Sequence, residues 1–292
     1  MRYSPLVLGF LTLALGLRGA DAGGWRPLWN EKDIAGWTMW LDVPHPSVTL
    51  AGSPRDARGQ HLSPIGPDRD PLGVFTVVEV DGRPAVRISG QVFGELRTRE
   101  SFADYHLKLQ FKWGEKKWAP RDAAEVPRDS GLLYHVHGEA GEGGRPWARS
   151  VELQIQERDV GDLYAIHSQV SVRAKRRANT GWPVFDYDPR GEWRVFTQYG
   201  RSDGRCVKQP DAEKPTGEWN TVELVCLGDD MIHIVNGQVV MRLRGARRID
   251  SPVASPVRSG QIILQSEGAE IFYRDLAVRP ITAIPAEFAE RE

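Results

Sequence analysis

The sequence predicts an all-β fold, a sandwich of two antiparallel sheets, on three observations. Apolar and polar residues alternate with period two in many short runs, turn signals rich in Gly separate the runs, and no long segment carries the 3.6-residue period of a helix. Many short strands with little helix favour a sandwich or jelly roll over an α/β fold.

Each element follows from its own residues. From Tyr105 to Trp113 the apolar Tyr105, Leu107, Leu109, Phe111 and Trp113 alternate with His106, Lys108, Gln110 and Lys112, the pattern of a half-buried strand. Val151, Leu153 and Ile155 alternate with Glu152, Gln154 and Gln156 in the same way. Further strands are expected at Phe75 to Val80, Ala85 to Ser89, Leu132 to His137, Thr221 to Cys226, Ile232 to Val235, Gln238 to Leu243, Gln261 to Gln265 and Glu270 to Val278. Asn236-Gly237 and Asp81-Gly82 each join two such runs, and a type I′ hairpin needs positive φ at both central residues. Leu41 to Gly73 carries six prolines among Gly and Asp and reads as a long irregular loop, able to lie over a binding cleft.

Arg2, the apolar run from Leu6 to Leu17 and Ala20-Asp21-Ala22 before Gly23 read as a secretion signal. Residues 1–22 are therefore expected to be a signal peptide and residues 23–292 one β-sandwich domain, in a periplasmic or secreted protein. No stretch reaches the roughly 20 apolar residues of a membrane span, so no membrane insertion is expected after cleavage. With 38 basic and 39 acidic residues the net charge is −1, which argues against nucleic acid or another partner bound mainly through charge. The basic cluster Arg173, Lys175, Arg176 and Arg177 reads as a solvated loop or strand edge. Cys206 and Cys226 lack metal-site spacing and could form one bridge if their strands are neighbours. Oligomeric state is not legible.

Chemistry concentrates on two runs. In RDSGLLYHVHG, strict alternation sets Leu133, His135 and His137 on one side; in RSVELQIQERDVGDLY, Glu152, Gln154 and Gln156 project together, with Glu157, Asp159 and Asp162 at the strand end. Polar alternation usually marks only a wet sheet face, but Glu and Gln are poor strand formers and three in succession sacrifice β propensity. If the two strands are neighbours, His135 and Glu152 could meet in a patch suited to acid–base chemistry, a metal or sugar hydroxyls. Among ten Trp, Trp118 and Trp147 lie in loops beside Arg121 and Arg149 and are candidates for ligand contact; most of the rest suit core or rim packing. No nucleophile elbow, phosphate loop, zinc-protease helix or dinucleotide fingerprint occurs.

Taken together, PLWNEKDIAGW, FGELRTRESFADYHLKLQFKWGEKKW, RDSGLLYH, SVELQIQE with GDLY, GEWNTVEL with the VNG turn, and IFYRDLAVRP resemble the 3-keto-disaccharide hydrolase family, in order from Trp25 to Pro280. The pair RDSGLLYH and SVELQIQE is the most diagnostic. The resemblance implies a concanavalin A-like jelly roll and action on an oxidised 3-keto disaccharide or glucoside. The chain departs from the family's common pattern at His135, where many relatives carry Arg.

A C3 ketone acidifies the C2 proton, so a base can remove it and the enolate can expel the C1 substituent; hydration of the unsaturated sugar then gives net hydrolysis. On this reading either Glu152 or His135 is the base, and the other polarises the ketone directly or through a divalent metal ion held by His135 and Glu152. Gln154, Gln156 and Glu157 would orient hydroxyls, His137, Arg121 and Arg149 would contact substrate, and Asp162, Tyr164, Trp118 and Trp147 would shape the pocket. Two alternatives belong to other classes: a non-catalytic lectin-like carbohydrate-binding module, and an ordinary glycosidase, which needs paired carboxylates where the Ser150–Gln156 run offers only Glu152 on its polar face.

Overall fold

The computed structural model describes residues 24–142, 145–197, 204–250 and 253–290. The expected signal peptide lies outside the described residues. Strand dominates, in two antiparallel sheets of twelve and nine strands among the described residues, and the architecture is the expected jelly-roll sandwich. No helix among the described residues is long and apolar enough to cross a membrane.

The larger sheet contains Tyr105–Lys117 between Asn220–Leu227 and Ala269–Pro280. The smaller runs, in spatial order, through Arg205–Cys206, Leu163–Ile166, Ser150–Gln156, Asp129–Val136, Ser259–Ser266, Gly94–Thr98 and Trp37–Leu41. One alternation therefore serves both sheets. Leu107, Leu109, Phe111 and Trp113 pack from one side against Leu132, Tyr134, Val151, Leu153 and Ile155 from the other, all nearly water-free. Each such side chain contributes about 1.5–3 kcal/mol on burial.

Two hydrogen bonds cross this interior. Tyr134 Oη meets His233 Nε2 at 2.9 Å, and Ser130 Oγ meets Tyr273 Oη at 2.8 Å. They identify the inward side of Asp129–Val136 without ambiguity. Both expected type I′ turns form, with φ of 49° and 78° at Asn236 and Gly237 and of 52° and 71° at Asp81 and Gly82.

Several expectations need correction. Eleven of the strands among the described residues escaped the sequence reading, among them Trp37–Leu41, Gly94–Thr98, Leu163–Ile166 and Ser168–Arg176. Of the basic cluster, Arg173, Lys175 and Arg176 lie exposed on the last of these, and Arg177 follows its end, also exposed. Cys206 and Cys226 stand in different sheets, both buried as free thiols, so no bridge joins them. Their strands are not neighbours, which was the condition the bridge required.

Candidate active site

The outward face of the smaller sheet carries the chemistry. Ser150–Gln156 pairs with Asp129–Val136 in a register that sets Glu152 opposite Leu133, Gln154 opposite Gly131 and Gln156 opposite Asp129. Directly opposed residues share a face, and this set alternates with Ser130, Leu132 and Tyr134, which point inward. Gln265, from Ser259–Ser266, reaches the same face from the other side of Asp129–Val136. A Cβ on Gly131 would stand 2.1 Å from Glu152 Oε1 and 2.2 Å from Gln265 Oε1. Only a glycine at 131 lets the two side chains converge.

The resulting recess is nearly closed, with Glu152 3% and Gln265 1% exposed. Glu152 Oε1, Gln265 Oε1 and Asp129 Oδ1 are buried without a hydrogen-bond partner among the described residues. Unpaired buried acceptors cost about 1–3 kcal/mol each, so they call for a ligand group that donates. Arg121 Nη2 lies 2.5 Å from Asp129 and 3.1 Å from Glu267, and Gln156 Nε2 donates to Asp129 Oδ2 at 3.0 Å.

Two carboxyls thus share one guanidinium, and Glu152 lies within the field of both. Burial, reinforced by the charges of Glu267 and Asp129, holds the Glu152 carboxyl well above the ordinary carboxylate range. Burial also lifts Asp129, to about 7 against the opposing pull of Arg121, and lifts Glu267. The cluster therefore retains protons near neutrality while keeping groups able to accept them.

His135 does not join this cluster. A β-bulge interrupts the pairing of Asp129–Val136 with Ser259–Ser266 between Gln261 and Ile263, and His135 takes φ of 52° there. The extra residue breaks the alternation, so the His135 ring lies 5.2 Å from that of Tyr134, on the interior side. The charges that act on His135 are His137 and Asp104, and burial lowers its pKa to about 4. It is 1% exposed, with neither ring nitrogen hydrogen-bonded among the described residues. The charges that act on Glu152 are those of Glu267 and Asp129, so His135 and Glu152 do not act on one another as the expected shared hollow required. Among the described residues no three His, Cys, Asp or Glu side chains converge as a metal site.

The other expected site residues divide. Gln154 and Gln156 lie on the polar face, although Gln154 Oε1 accepts from the Ile155 backbone. Tyr164 stands opposite Glu152 and under the Arg205 guanidinium, 5.5 Å from ring to cation. Asp162, wholly buried, instead anchors Arg205 and the Lys208 backbone, and Glu157 is tied to Arg128 and Thr216. Trp147 covers Leu133, Val136 and Ile263 and donates to Gly94 O; Trp118 donates to Ser89 O. His137 binds the backbone oxygen of His135, and Arg149 pairs with Glu142.

Sequence reasoning missed Asp129, Glu267, Gln265, Glu95 and Arg97. Gln265 was visible as a polar residue at the end of an alternating run, but its partner strand was not. Glu95 stands opposite Gln265 and binds the Arg97 side chain at 2.7 Å. Both border a cavity of about 410 Å³ that also touches Trp40, Thr38, Glu139 and Gln261. Trp40 Nε1 is buried there with no partner among the described residues. A second cavity, of about 450 Å³, opens beyond Arg205 at the opposite edge of the sheet. The carboxyl cluster lies between them.

Residues 24–279 match the family model described as a 3-keto-alpha-glucoside-1,2-lyase-like domain. No curated protein matches the chain in sequence. Among solved structures, a Parabacteroides distasonis protein provisionally named a glycosyl hydrolase is similar at 16% identity and a TM-score of 0.49, over 90% of this chain and 96% of that one. The carbohydrate-binding module CBM66 of Bacillus subtilis is similar at 9% identity and a TM-score of 0.40, over 70% and 91%. A Bacillus subtilis protein of unknown function with a galectin-like fold is similar at 13% identity and 0.34, over 70% and 86%.

Proposed function

Because the chain belongs to the family of 3-keto-alpha-glucoside-1,2-lyase-like domains, we propose that it cleaves 3-keto glycosides by removing the C2 proton and eliminating the C1 substituent. The observation that carries this reading is the Glu152 carboxyl, buried with one oxygen free, facing Gln265 above Gly131. A carboxylate whose proton affinity is raised by burial is a stronger base once ionised, which suits a proton on carbon that only the adjacent ketone makes acidic.

The route needs three roles filled. Glu152 takes the C2 proton as the C2–H electrons form the enolate. A half-turn of the Gln265 amide presents its NH2 to an oxygen in the recess, where it would stabilise the developing charge. As the C1–O bond breaks, the leaving oxygen takes a proton from the Asp129–Glu267 pair, which burial keeps partly protonated. Water then adds across C1 and C2 of the enone, so elimination and hydration sum to hydrolysis. No step requires the two separated carboxylates of an oxocarbenium route.

A module that only binds sugars has no use for three carboxyls whose proton affinities are all raised, and that favours catalysis. Incubation with a 3-keto glucoside should produce a transient enone absorbance and free aglycone. Absence of both with wild-type protein, or full turnover by Glu152→Gln, would overturn the reading.

A further inference from the structure

The 450 Å³ cavity beyond the edge of the smaller sheet has no part in the reaction as derived, yet its walls are specific. Arg158, Arg177, Arg205 and Lys208 line it, against the single acid Asp159, and Trp182 stands among them 70% exposed. Its volume falls in the usual range for small-ligand sites, about 300–1,000 Å³.

The cations are held from behind. Asp162 Oδ2 takes Arg205 Nε at 2.9 Å and Nη2 at 2.6 Å, and Asp186 takes Arg177 Nε at 3.1 Å and Nη2 at 2.5 Å. Asp162 is fully buried and Asp186 nearly so. The two guanidinium planes are thereby fixed; Arg205 Nη2 also meets Asp159 at 2.9 Å, and the Nη1 groups of Arg205 and Arg177, which enter none of these bonds, are left for an occupant. Arg158 is different: exposed, it has no ion pair among the described residues, while its backbone oxygen receives the Lys208 ammonium. One exposed cation and two fixed forks suit an oxyanion, because a planar guanidinium matches carboxylate or sulfate geometry. The exposed indole of Trp182 offers an apolar face for a sugar ring.

The cavity is also joined to the carboxyl cluster. Arg205 lies over Tyr164, and Tyr164 is the cross-strand neighbour of Glu152. A ligand spanning both would place one ring in the recess and the next against Trp182.

We propose that this cavity is a subsite for an acidic sugar, one bearing a carboxylate or a sulfate, so that the substrate is a glycoside with an anionic partner ring. The identity of that ring as part of a substrate rests on the reaction proposed above; its binding does not.

The test separates the two. Calorimetric titration of wild-type and Glu152→Gln protein with methyl glucuronide, methyl glucoside 6-sulfate and methyl glucoside should show at least about tenfold tighter binding of an acidic glycoside than of the neutral one, weakened by salt. The tighter of the two acids names the substituent. Arg158→Ala and Trp182→Ala, both exposed and expected to fold normally, should each lose about tenfold in that affinity. Equal affinity for the neutral glycoside, no binding of any, or unchanged affinity in Arg158→Ala would overturn the proposal. Failure of the elimination chemistry would instead leave these affinities intact and abolish only the enone signal.

Discussion

Glu152 and Gln265 come from strands on opposite sides of Asp129–Val136, yet their side-chain oxygens approach one point above Gly131, 2.1 and 2.2 Å from where a Cβ would stand. The closeness makes residue 131 a sensitive probe of the recess. No positive φ is needed at Gly131, so alanine meets no backbone penalty there. Gly131→Ala should nevertheless displace both side chains, lowering kcat about a hundredfold and stability by about 1–3 kcal/mol. Steady-state kinetics alongside urea unfolding would check it, and wild-type kcat would show that the convergence is unimportant.

Glu152→Gln should remove turnover and make the protein more stable near neutral pH. The carboxyl has a folded pKa above its ordinary value of 4.5, so above that value the unfolded chain releases a proton that the folded chain keeps. Its contribution to stability is then complete below pH 4.5 and declines as pH rises toward the folded pKa. The amide has no such decline. Unfolding curves from pH 4 to 8 should diverge with rising pH, the variant remaining higher; parallel curves would contradict the raised proton affinity.

Asp129→Asn removes one of the charges that raise Glu152. Where Asp129 is ionised in the parent, above about pH 7, the base should become easier to ionise in the variant. The acidic limb of the kcat/KM profile should move to lower pH, and leaving-group protonation should slow. A limb that moved upward, or stayed in place, would separate Asp129 from Glu152.

His135→Asn tests the bulge. Asn tolerates positive φ and removes the imidazole from the interior. Turnover on a 3-keto glucoside should remain within a few-fold of wild type, while thermal stability changes with the altered packing. Loss of kcat in a folded variant would return His135 to the reaction.

Much of this architecture is legible along the chain because alternation is local. Once Leu107, Leu109 and Phe111 or Val151, Leu153 and Ile155 occupy every second position, burying them together requires two facing sheets. The hairpin at Asn236-Gly237 is legible for the same reason, since the conformational demand belongs to those two residues. Strands such as Ser168–Arg176, interrupted by charge, blur the same signal.

The candidate site divides along this line. The sequence by itself determined the sandwich, the inward and outward faces of Ser150–Gln156, and hence the outward direction of Glu152. Only the tertiary structure decided which groups meet it. Strand order brought Gln265 and Glu267 beside Asp129, although more than a hundred residues separate them along the chain. A single inserted residue in the pairing turned His135 inward. Side-chain direction follows from local backbone geometry, whereas register and strand order follow from the packing of the whole chain.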